Sequence, residues 1–167
     1  ESGCVDSMDS LDGFERFPSW MWRNADVLDF IGWLRDHNEH VGSLDHQVGF
    51  YGLDLYSLHK SMNEVIAYLE RRDPEEADKA KILYGCIDRY GHDPQNYGLM
   101  VGAGVSDGCR AEVVQQLTDL RAREVEYLAR NGHAGADEFF FAEQNARLVK
   151  NAEQYYRKMF RSDVSSW

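Results

Sequence analysis

Between Val113 and Met159, apolar residues return at every third or fourth position through two long charged stretches, and no other feature constrains the fold as strongly. Val113, Val114, Leu117, Leu120, Val125 and Leu128 share one helical face; Ala142, Ala146, Val149, Ala152, Tyr156 and Met159 share another. "NGHAGAD" (131–137), with two glycines, reads as the turn between them. The pattern predicts two helices packed as an antiparallel hairpin.

The same period continues upstream. From Ser57 onward Leu58, Met62, Val65, Ile66 and Leu69 recur at helical spacing. Asp73-Pro74 then stops that helix and offers an N-cap and a first-turn proline to the next, which is expected to run to about Tyr90, where "GHDPQNYG" breaks it. An earlier helix starts at Asn24, a good N-cap, with Val27, Ile31 and Leu34 on one face and Phe30 at its edge. Residues 1–15 form an acidic, Ser/Gly-rich lead-in, and "HNEHVGSLDHQ" (37–47) reads as a loop.

One run reads differently. "VGFYGLDLYSL" (48–58) is β-branched and aromatic between glycines, and predicts a buried strand at 48–55 that ends near Asp54 or Leu55. A lone strand leaves its backbone donors and acceptors unpaired, so it requires a partner sheet. The expected fold class is therefore mainly α, about five helices and one buried strand at 48–55, as a piece of a larger α/β unit.

Composition closes off several functions. The chain has 43% apolar and 13% aromatic residues, which is globular, and a net charge of −11 without a dense basic run, which argues against nucleic acid. No apolar stretch approaches the roughly 20 residues of a membrane span. Cys4, Cys86 and Cys109 are few and far apart, so reduced, mostly buried thiols in a cytoplasmic protein are expected. His37, Glu39 and His40 lack the spacing of a metal site and are read as solvated; no metal or other cofactor is expected. "VGAGVSDG" (101–108) has neither the Gly-Lys-Ser/Thr of a P-loop nor a strand before it.

Two places could carry chemistry. Asp54, at the end of the expected strand, sits where ligands gather in open α/β sheets; it could equally cap the helix that follows. Trp20, Met21, Trp22 and Arg23 could line a bulky apolar ligand, or the tryptophans could staple a helix start onto the core with Arg23 paired to a carboxylate.

Four blocks in register carry a resemblance: "GFERFPSWMWRN" (13–24), "VGFYGLDLYSLHKSMNEVIAYL" (48–69), "DPEEADKAK" (73–81) and "AEQNARLVKNAEQYYRKMFRSDVSSW" (142–167). Together they resemble the erythromycin esterase family over nearly the whole chain, most closely the actinobacterial type whose esterase-like domain can follow a phosphoribosyltransferase domain. The resemblance implies a hydrolase opening an ester or lactone, such as a macrolide, with a water activated by a glutamate and a histidine of a "GE..HGT"-like motif. That motif would precede Glu1, and an "AHNSHVGD"-like histidine motif would follow Trp167, so residues 1–167 are expected to be the central part of one domain and inactive alone. Within it, 1–15 would be lead-in, 16–58 part of the α/β core and 59–167 a helical subdomain.

The resemblance further implies that Trp20, Met21, Trp22 and Arg23 border the cleft. Tyr51, Asp54 and Tyr56 would lie at the carboxyl edge of the sheet. The rival expectation is a helical interaction or regulatory module of a phosphoribosyltransferase fusion. Under either, surfaces meant for a missing sheet would favour self-association.

Overall fold

The computed structural model describes residues 11–12, 19–43, 46–50 and 55–161, apart from the side chains of Tyr56 and of residues 130–134. Among these the chain is mainly α, as expected, but with seven α-helices where about five were expected, one 3₁₀ turn and no strand. It divides into two compact units, Glu1–Tyr51 and Gly52–Trp167.

The first unit holds α1 (Ser19–Trp22) and α2 (Ala25–His40). Asn24 starts α2 as expected: its backbone is extended and its side chain accepts from the Val27 N–H at 2.9 Å. Val27, Ile31 and Leu34 are half-buried and Phe30 is exposed, which is the predicted register. No residue of α2 is fully buried.

The second unit is built on α3 (Leu58–Arg72), α4 (Pro74–Asp88), α5 (Pro94–Gly102), α6 (Arg110–Ala122) and α7 (Glu124–Met159). Asp73 makes the α3/α4 junction work. One of its carboxylate oxygens accepts from the Glu76 N–H at 3.3 Å, and the other accepts from Arg123 at 3.1 Å and from Tyr127 at 3.2 Å. The cap of α4 is thereby also a tie to the start of α7.

Leu58, Met62, Val65 and Leu69 of α3, Val113, Leu117 and Leu120 of α6, and Ala142, Ala146, Val149, Ala152 and Tyr156 of α7 are buried in one core. The small residues of α7 let its neighbours approach closely. Two members of the predicted faces fall outside it: Val114 is 40% exposed and Val125 is 81% exposed.

The expected hairpin is present, in an altered form. Residues 131–137 are helical, so the predicted turn lies inside α7, which spans Glu124–Met159. A straight helix would hold residues 127 and 139 about 18 Å apart. The rings of Tyr127 and Phe139 are instead 6.5 Å apart, so the axis bends back between them. Arg121 meets Glu143 at 2.6 Å across the same reversal, which confirms the antiparallel order. Gly132 and Gly135 lie where such a kink needs them.

Three expectations require correction. The strand at 48–55 is not formed in its described part: residues 48–50 have no regular structure and Leu55–Ser57 is a 3₁₀ turn, while 51–54 lie outside the described residues. β-Propensity alone does not hold a strand, and among the described residues there is none for it to pair with. Second, "GHDPQNYG" does not merely break a helix; it starts α5, with Asp93 as N-cap (accepting from the Gln95 N–H at 2.9 Å) and Pro94 in the first turn.

Third, Cys86 and Cys109 are not free thiols. They form a disulfide between Cα atoms 5.8 Å apart, one at the end of α4 and one just before α6. The intervening α5 folds back and brings the two ends together. It does so by close backbone approach: a Cβ at Gly98 would lie 2.4 Å from the Tyr156 carbonyl oxygen, and one at Gly102 2.7 Å from Phe160 Cβ.

Candidate functional site

Of the sequence-predicted site residues, the structure gathers Trp20, Met21, Trp22 and Arg23, and it shows why a polar pair follows the tryptophans. Asn24 donates through Nδ2 to the carbonyls of Trp20 (3.1 Å) and Met21 (2.8 Å) while its Oδ1 caps α2. Its side chain therefore locks the end of α1 to the start of α2. Arg23 is ion-paired with Asp12.

The tryptophans remain accessible, with Trp20 66% and Trp22 39% exposed. α1 presents an aromatic surface on a fixed corner. Tyr51 and Asp54 lie outside the described residues, as does the side chain of Tyr56, whose backbone belongs to the 3₁₀ turn.

Sequence reading passed over a second aromatic group in the same unit. Phe30 meets Phe50 edge-on at 5.2 Å and Trp33 at 6.1 Å, and Trp33 stacks on His37 at 5.5 Å. Asn38 holds the segment carrying Phe50, accepting from the Val48 N–H at 2.8 Å and donating to its carbonyl at 3.0 Å. The 30, 33, 37 spacing was the available signal; attention to the Val27 face hid it.

The second unit contains a buried polar network. Glu153, 1% exposed, accepts from Tyr97 at 2.7 Å and from Arg157 at 2.8 Å, and the Tyr97 hydroxyl accepts from the Cys109 N–H at 2.9 Å. Burial, then the bond to Glu153, raises the Tyr97 ionisation well above that of a free phenol. The hydroxyl therefore stays protonated and holds the disulfide end of α6 to α7. Gly108 (φ +83°) permits this approach, since a Cβ there would sit 3.0 Å from the Tyr97 hydroxyl.

His59 lies 3.7 Å from an Asp88 carboxylate oxygen and packs edge-on against His92 at 5.3 Å. His37 and Glu39, expected in a loop, lie in α2, and with His46 they belong to the first unit. Among the described residues no group of three His, Cys, Asp or Glu could hold a metal ion.

The described residues thus form a mainly α chain with an aromatic first unit and a polar-paired second unit. A family model described as erythromycin esterase matches residues 2–167, and the chain belongs to the erythromycin esterase family. No solved structure matches it.

Proposed function

We propose that this chain is the central part of a hydrolase that, in the intact protein, cleaves an ester or lactone with an activated water. The observation that carries the reading is the family match across residues 2–167. In this reading a glutamate and a histidine, as the family resemblance implies, activate the water. Water activation by two side chains requires no cofactor.

In this reading Trp20, Met21 and Trp22 form an apolar wall, with Arg23 beside them, for a small-molecule ester or lactone of macrolide size. Tyr51, Asp54 and Tyr56 orient the substrate near the reacting carbonyl. α3–α7 form a cover that excludes water. Among the described residues no helix is long and apolar enough to cross a membrane. As to compartment, the Cys86–Cys109 bond removes the reduced thiols that spoke for the cytoplasm, and the thiol state of the protein in freshly lysed, alkylated cells decides between it and an oxidising compartment.

The experiment is hydrolysis of a macrolide and of a chromogenic ester by this chain and by the intact protein in parallel. The reading expects turnover by the intact protein alone, lost in Asp54→Asn and weakened in KM by Trp22→Ala. Silence of the intact protein on both substrates would move the function to a helical binding module.

A further inference from the structure

α2 has 16 residues and not one of them is buried. A free helix of this length is marginal in water, and most helical stability in proteins comes from covering an apolar face. Here the uncovered face is ordered: Phe30 is 39% and Trp33 60% exposed, and their rings are fixed against each other, Phe50 and His37.

The stripe that contains them reads Asp26, Phe30, Trp33, His37 at intervals of four, three and four residues. It is acidic at its N-terminal end, aromatic in its middle and carries an imidazole at its C-terminal end. Such a stripe is complementary to itself when turned around. In an antiparallel pair with its axis beside the 31/32 peptide, position 26 lies opposite 37 and position 30 opposite 33.

We propose that two copies of this chain associate through this stripe, α2 against α2 in antiparallel order about a two-fold axis. Phe30 of each copy then covers Trp33 of the other. The Asp26 carboxylate accepts a hydrogen bond from the imidazole N–H of the partner's His37, and the symmetry repeats both contacts. A second copy is favoured over an unrelated partner because the donor that Asp26 calls for, at the matching distance from the paired rings, is the imidazole N–H of the same stripe reversed.

The helix is about 24 Å long, so the contact is smaller than the ~800 Å² per partner of a standard interface and the dimer is concentration-dependent. The charge of −11 on each copy works in the same direction.

The test is sedimentation velocity of the full chain from about 1 to about 200 μM, around the affinity expected of a small interface. The expected result is a reversible monomer–dimer equilibrium. Asp26→Arg removes the acceptor, sets a cation against the imidazole N–H and weakens association at least about tenfold, and adding His37→Asp restores it. Trp33→Lys abolishes the dimer. Far-UV circular dichroism at the dilute end must be unchanged in every variant, which separates lost association from lost folding. A chain that stays monomeric throughout, or a dimer indifferent to the charge reversal, would overturn the proposal; in the first case a segment of a longer protein is the cover for the stripe.

Discussion

The two units solve the same problem in opposite ways. In the unit from Gly52 onward, five helices bury Tyr84, Tyr97, Tyr127 and a continuous aliphatic core, and they bury the Glu153 carboxylate with both of its partners beside it. In the unit ending at Tyr51, a longer helix than α3 or α4 buries nothing completely and keeps its largest rings at the surface. Helix length and amphipathic spacing are therefore not what separates a core helix from a surface one. The difference is how much of each helix is buried: six residues of α3 and none of α2.

This contrast can be broken at its strongest point first. Glu153→Ala leaves Arg157 and the Tyr97 hydroxyl in the core without their acceptor, and should lower the stability of the second unit by about 3–5 kcal/mol in denaturant melts. A loss below 1 kcal/mol would mean that the network is not buried as described. Replacing Cys86 and Cys109 together by serine opens the loop around α5 and should cost about 3 kcal/mol by the same measurement.

Gly98→Ala pushes α5 off the Tyr156 carbonyl and should cost about 2 kcal/mol, with the added exchange confined to α5 and the end of α7. Asn24→Ala, by contrast, removes one cap and should cost about 1 kcal/mol, visible as faster exchange of the first α2 amides and no change in α3–α7. Spread of the Asn24 effect into α3–α7 would erase the distinction between the units.

The smallest effect concerns pH. Burial tends to raise the Glu143 pKa, but hydrogen bonds from Arg121 and Arg147 outweigh it and hold the group below the ordinary glutamate value. A depressed folded-state pKa contributes stability that is present above about pH 4.3, the unfolded value, and is lost as pH falls through the folded one. Wild type and Glu143→Gln should therefore differ by about 1 kcal/mol or less at neutral pH and converge at low pH, since the group is partly solvated. Thermal melts between neutral and acidic pH measure the difference; a gap that widens on acidification would contradict the sign.

What was legible in the sequence follows the same division. Asp73-Pro74 and Asn24 announced their helix starts because a cap is a local bond, and the Ala142–Tyr156 stripe announced the core because its period is local too. α5 was missed although Asp93-Pro94 repeats the Asp73-Pro74 signal, because Gly98 and Gly102 look like breakers until the helix they pack against is known. The disulfide was missed for the same reason: a spacing of 23 residues says nothing about pairing until α5 folds back.

The run at 48–55 has strand-like residues but finds no strand to pair with among the described residues, so composition pointed to a structure that pairing decides. The candidate site was legible only where Trp20, Met21, Trp22 and Arg23 share a corner held by Asn24. Phe30, Trp33 and His37 could have been found as a second stripe on α2, offset from the Val27 face.

Amide hydrogen exchange of the full chain across a dilution series tests the central claim most directly, that α3–α7 complete their own core while α2 depends on a second copy. The account predicts slow exchange in α3, α4, α6 and α7 at every concentration, and exchange in α2 that is fast when dilute and slows as the dimer forms. Protection of α2 equal to that of α3 and α7 at the lowest concentration would contradict it.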